Sequence, residues 1–115
     1  MTINDTNQVL NVFLKDTSSK MCLLLDNNSK VLGQVEINYA DSVAVLSNGI
    51  LSMVGKFSQD MSFGKLKQLQ IKTTEGVIFF QKVSDKSTLV VFIEENMNII
   101  LFLKRLDEVS IELNK

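Results

Sequence analysis

The sequence predicts an α/β sandwich of the α+β kind: a five-stranded antiparallel sheet with a pair of helices on one face and one long helix on the other. Three observations predict it. Apolar residues recur at helical spacing in three segments, near residues 5–15, 41–60 and 98–114. Five short segments between them are apolar throughout or alternate with period two. Short polar turns join neighbouring strands, which makes hairpins and therefore antiparallel pairing. The element order is α-β-β-α-β-β-β-α, and the helices then cover both faces of the sheet. A chain of 115 residues has room for one core, so residues 1–115 are read as a single domain.

In the first helix, residues 5–15, Asp5 or Thr6 is the expected cap, and Val9, Leu10, Phe13 and Leu14 form the apolar stripe. Lys20–Leu25 is apolar on both faces and reads as a central strand. Asp26-Asn27-Asn28-Ser29 is turn chemistry, since Asn and Asp tolerate left-handed backbone. Val31–Ile37 returns as the second arm of the hairpin. Asp41 or Ser42 then caps a long helix reaching about Asp60. Its residues Val43, Leu46, Ile50, Val54, Phe57 and Met61 are spaced as one continuous stripe, expected to lie against the sheet. A second face carries Ala44, Asn48, Leu51 and Gly55; small residues there would let another helix approach, with Leu51 as the knob. Gly49 and Gly55 each cost a helix about 1 kcal/mol relative to alanine. Leu66–Thr73, Val77–Val83 and Thr88–Glu94 form a meander whose turns are Thr74-Glu75-Gly76 and Ser84–Ser87. The alternating Leu66–Thr73 reads as an edge strand, and the apolar Leu89–Ile93 as an interior one. Asn96 or Asn98 caps the last helix, 98–114, with Ile99, Phe102, Leu103, Leu106, Val109 and Leu113 as its core stripe. Lys104 and Glu108 are placed as a solvated ion pair.

The residues that most catalytic chemistry requires are missing. There is no histidine, so no Ser-His or Cys-His pair and no His-ligated metal site can form. One cysteine, Cys22, excludes a thiolate cluster and an internal disulfide; its apolar run suggests packing and fits a reducing compartment. The phosphate-loop pattern fails: Gly49 to Gly55 is one residue too long, and Phe57 follows Lys56. Glu94-Glu95 is an adjacent carboxylate pair at a strand end, where successive side chains point to opposite faces. No cofactor and no catalytic residue is assigned. Net charge is −1, unevenly spread: −2 over residues 1–55, +3 over 56–86 and −2 over 87–115. A +3 segment without arginine is too sparse for a nucleic-acid face. The start MTINDTNQ lacks the basic-then-apolar order of a signal peptide, and no apolar run approaches ~20 residues, so a cytoplasmic protein without membrane insertion is expected.

Leu69–Lys115, with its acidic-Gly turn, polar turn, apolar strand, Asn-containing turn and final helix bearing Lys104-Arg105, resembles the last three strands and last helix of the Roadblock/dynein light-chain domain family. Met21–Leu32, MCLLLDNNSKVL, is similar to that family's first hairpin. Asn28-Ser29 departs from its usual Asp-Gly turn, and Ile100 stands where the last helix often has Gly. The resemblance implies a profilin-like Roadblock fold with sheet order 2-1-5-4-3, which puts both non-alternating strands inside and Leu66–Thr73 at an edge. It also implies a dimer, with itself or a Roadblock paralogue, made by long helices side by side and third strands paired. The matching positions are Ala44, Asn48, Leu51, Ser52 and Gly55 on the helix, with Lys67, Leu69 and Ile71 on the strand.

Two functions follow from the resemblance. One is a non-catalytic regulator or scaffold of a Ras-like small GTPase, similar to the family's bacterial polarity-switch members. The other is a structural adaptor, similar to dynein-associated or lysosomal-scaffold subunits, without effect on GTP turnover. The single arginine, Arg105, reads as a solvated surface residue and not as an arginine finger.

Overall fold

The computed structural model describes residues 1–94 and 98–115. Its elements are α1 (Ile3–Thr17), β1 (Met21–Asp26), β2 (Val31–Val35), α2 (Ala40–Asp60), β3 (Gln68–Lys72), β4 (Val77–Ser84), β5 (Ser87–Ile93) and α3 (Ile99–Leu113). The strands form one sheet in the order β2-β1-β5-β4-β3, with every pair antiparallel. This is the architecture and strand order expected. Asn96, one of two caps proposed for the last helix, and Glu95 of the carboxylate pair lie outside the described residues.

Strand alternation divides the interior into two layers. Cys22, Leu24, Phe79, Leu89 and Val91 face α1 and α3, where Leu10, Phe13, Phe102 and Leu106 complete the larger cluster. Its aromatic centre places Phe102 4.8 Å from Phe79 and 6.1 Å from Phe13, both tilted, within the favourable range for ring pairs. Leu23, Leu25, Phe80 and Val90 face the other way, toward α2. β1 and β5 are apolar throughout because helices cover both of their faces.

Two glycines mark close backbone approaches. At Gly33 a Cβ would lie 2.6 Å from Thr6 Cγ2, so the missing side chain lets α1 rest on β2. At Gly76 a Cβ would lie 2.1 Å from the Ile93 carbonyl oxygen, where the turn into β4 crosses the end of β5. That turn is held by Thr73, whose hydroxyl accepts from the Glu75 and Gly76 amides. In the first hairpin, Asp26 Oδ1 accepts from the Asn28 and Lys30 amides, and Ser29 takes the left-handed conformation (φ 64°).

Several local expectations change. α1 begins earlier: Thr2 caps it in a reciprocal capping box with Asp5, so Asp5 serves three residues into the motif and is not itself the cap. α2 has no side-chain cap; left-handed Tyr39 precedes Ala40, and Asp41 lies in the first turn, where its charge suits the helix dipole. Asn98 caps α3, accepting from the Leu101 amide. Ile99 is largely exposed, and Ser110 takes a buried place by donating to the Leu106 carbonyl. Glu108 pairs with Arg105 at 2.9 Å, not with Lys104. Arg105 also binds Asp16 of α1, so it joins the two helices of one layer and is only half-exposed.

The largest correction concerns α2. The stripe expected against the sheet is instead turned outward: Leu46 and Phe57 are each 67% exposed, and Met61 is also exposed, while Val43, Ile50 and Val54 are half-buried. The buried residues of the helix are Ala40, Ala44 and Ser47, about a quarter turn away. Small side chains on that side let the helix sit close over β1 and β2, and the bulky residues are left facing away. Periodicity reveals that a helix has an apolar face; it does not reveal whether this chain or another covers it.

Candidate interaction surface on the long helix and the free sheet edge

β3 is hydrogen-bonded to β4 on one side only, leaving its other edge unpaired among the described residues. Its register opposite β4 sets Leu69 against Phe80 and Ile71 against Ile78, so both point toward the α2 side of the sheet. On α2, Leu46 (67% exposed), Met53 (73%) and Phe57 (67%) lie in one line around the half-buried Ile50. Ile50, Leu69, Ile71 and Ile78 all pack against the α2-side core, so the exposed line and the apolar face of the edge strand lie on the same side of the sheet. Large side chains grouped this way on a helix exceed the scattered apolar exposure of an ordinary surface.

The interface positions named from sequence are divided by the structure. Ala44 is fully buried under its own helix and offers nothing to a partner. Leu51 packs against the α2-side core, so it is a core residue and not a free knob. The Asn48 amide donates to the Asp26 carbonyl (3.0 Å) and Ser29 Oγ (2.8 Å), tying α2 to the first hairpin turn. Asn48, Leu51, Ser52 and Lys67 come together as walls of a groove of about 840 Å³. Gly55 is half-buried, with open space where its Cβ would be. Leu69 and Ile71 stand on the edge strand as expected. Sequence reading missed Met53 and placed Leu46 and Phe57 inside. The available signal was the line Ala40, Ala44, Ser47 and Leu51, which has the same helical spacing and smaller residues.

The titratable groups add little chemistry. Cys22 is buried, and loss of water pushes its thiol from 9.0 up to about 12, so it stays protonated and unreactive at neutral pH. Among the described residues, no three His, Cys, Asp or Glu side chains are grouped to hold a metal ion. No described helix is long and apolar enough to cross a membrane.

The sequence matches the profile of the Roadblock/LC7 domain over residues 6–92. A search of curated proteins by sequence gives no significant match. The fold is similar to that of MglB from Myxococcus xanthus, with a TM-score of 0.90 at 19% identity over 97% of this chain and 86% of that one. It is also similar to the gliding protein MglB from Thermus thermophilus, with a TM-score of 0.87 at 16% identity over 98% of this chain and 88% of that one. Profilin IA from Acanthamoeba castellanii shares the architecture more distantly, with a TM-score of 0.66 at 10% identity over 94% and 95% of the two chains. At these identities the likeness concerns the fold.

Proposed function

Because the chain belongs to the Roadblock/LC7 domain family, we propose that it is a non-catalytic dimeric protein-binding module that regulates or scaffolds a Ras-like small GTPase. One observation carries the binding role: the exposed line Leu46–Met53–Phe57 lies on the same side of the sheet as the apolar face of a strand whose edge is unpaired among the described residues. An apolar helix face and an open edge are both surfaces that association stabilises, and a second copy supplies both at once. The interface residues are then Leu46, Ile50, Met53 and Phe57 on α2, with Leu69 and Ile71 along β3, whereas Lys67 precedes that strand and lines the groove beside it. They replace the Ala44–Asn48–Leu51 face of the helix. The choice of a GTPase as partner is supported by the likeness to the two MglB structures. Any catalytic group belongs to the GTPase, since Arg105 is held by Asp16 and Glu108.

The test has two stages. Sedimentation at ~100 μM, well above a micromolar dissociation constant, should give a dimer. A pull-down from the source cell should then recover a small GTPase whose GTP hydrolysis or nucleotide state changes when this protein is added. A monomer at that concentration would remove the interface. A recovered GTPase with unchanged turnover and nucleotide state would leave a structural adaptor.

A further inference from the structure

We propose that the groove between the C-terminal half of α2 and the adjoining ends of β3 and β4 docks an extended acidic segment of a partner protein. The proposal does not rest on the dimer or on a GTPase. The groove, about 840 Å³, is roughly twice as large as two further clefts of about 440 and 380 Å³ between α1 and α3 and beside the start of α3. Lys65, Lys67 and Lys82 line it against a single acid, Asp85. These lysines belong to the basic middle segment of the sequence, and the apolar interface proposed above uses none of their charges. Among the described residues none of the three is in an ion pair, whereas Lys20, Lys56 and Arg105 each are. The fold draws them together: the Lys82 amide donates to the Lys67 carbonyl at 2.9 Å, setting the segment before β3 alongside β4.

The arrangement favours carboxylates on an extended chain over a compact anion. On the α2 wall, Asn48 is already committed to Asp26 and Ser29, while Ser52 and Gln59 can donate to backbone or side-chain oxygens of a bound segment. Three ammonium groups on flexible stems are point charges that adapt to a row of acids. Lys65 and Lys67 are two residues apart immediately before β3, and the Lys67 carbonyl continues the pairing with β4. Side chains two apart in extended chain repeat every ~6.6–6.8 Å, so acids at alternate positions of a bound segment keep step with them. Access survives dimerisation. At about 100° per residue, the groove wall of α2 (Asn48, Ser52) is turned on average about 140° from the exposed line Leu46–Met53–Phe57.

The probe is a fluorescein-labelled peptide of alternating Glu and Ser, about ten residues long, with its Gln-Ser counterpart as control. Binding is followed by anisotropy at low and high salt and mapped by amide chemical shifts on the full chain. The acidic peptide should bind saturably and weaken with salt, and shifts should cluster at residues 48–52, 65–67 and 82–85. Lys65→Gln/Lys67→Gln/Lys82→Gln should weaken it by about tenfold, the sum of three exposed charge pairs. Lys15→Gln/Lys104→Gln/Lys115→Gln, with the same change in net charge on the opposite layer, should stay within about twofold. If the first triple variant loses its native circular dichroism, Lys65→Gln/Lys67→Gln, which spares β4, should still weaken binding more than the control. Equal losses in both variants, shifts elsewhere, no saturable binding, or inorganic phosphate displacing the peptide at similar concentration would overturn the proposal. Sedimentation of the same variants separates this result from the dimer, because the lysine changes should leave self-association intact.

Discussion

Truncating Met53 tests which face of α2 meets a partner. Met53 is 73% exposed in the single chain, so nearly three-quarters of its apolar surface remains for a partner to cover. Full burial of such a side chain is worth about 1.5–3 kcal/mol, which gives about 1–2 kcal/mol per subunit here. A two-fold dimer contains the residue twice, so Met53→Ala should cost assembly about 2–4 kcal/mol and raise the dissociation constant about 30- to 700-fold. The monomer should not suffer, because an exposed helical Met→Ala change removes no internal packing and alanine is the best helix former. Sedimentation velocity across a concentration series reads the association, and circular dichroism reads the fold. Ala44→Glu is the contrasting variant: Ala44 is fully buried between α2 and the sheet, and a carboxylate there has no partner, so it should melt the chain instead of merely separating subunits. Unchanged self-association in Met53→Ala would refute the reasoning, as would a folded, monomeric Ala44→Glu.

Three further variants probe local physics. Gly49→Ala should raise stability by about 1 kcal/mol in urea unfolding, because a Cβ there meets nothing within 4 Å in an exposed helical position. Gly76→Ala should lower it by about 1–3 kcal/mol, since the new Cβ falls on the Ile93 carbonyl and backbone must move. Cys22 has a folded pKa of about 12 against an ordinary 9.0. Its contribution is therefore constant below pH 9.0 and falls by about 1.4 kcal/mol per unit as pH rises from there toward 12. The stability difference between the natural chain and Cys22→Ala should follow that curve, and a flat difference would show the thiol to be more accessible than the fold implies.

The two interior strands were legible because burial on both faces leaves a sequence mark: Lys20–Leu25 and Leu89–Ile93 do not alternate, whereas the full strand order came from the family resemblance. The edge strand was legible for the opposite reason, since Leu69 and Ile71 alternate with Gln68, Gln70 and Lys72. Boundaries were less readable where a motif could be entered at two places, as at Thr2 and Asp5, which share one capping box. The candidate site was half legible. A surface meant for another chain has the composition of a core, so Leu46 and Phe57 looked like interior residues. Ala44 looked like a contact point because small residues permit close approach equally to a partner helix or to the sheet beneath.

The two margins of the sheet are not equivalent. On the β2 side, the outward-facing Gln34 amide is taken by Asn7 Oδ1 of α1 at 2.8 Å, and Gly33 lets that helix lie against the strand. That margin is closed by its own chain, while the β3 margin stays open. Had both been open, strand could add to strand without end, and the natural product would be a fibre. With one open margin, the strand pairing proposed above would stop after a single joining event, uniting two five-stranded sheets into one of about ten. Asn7 on the first helix would then help the molecule terminate instead of polymerise.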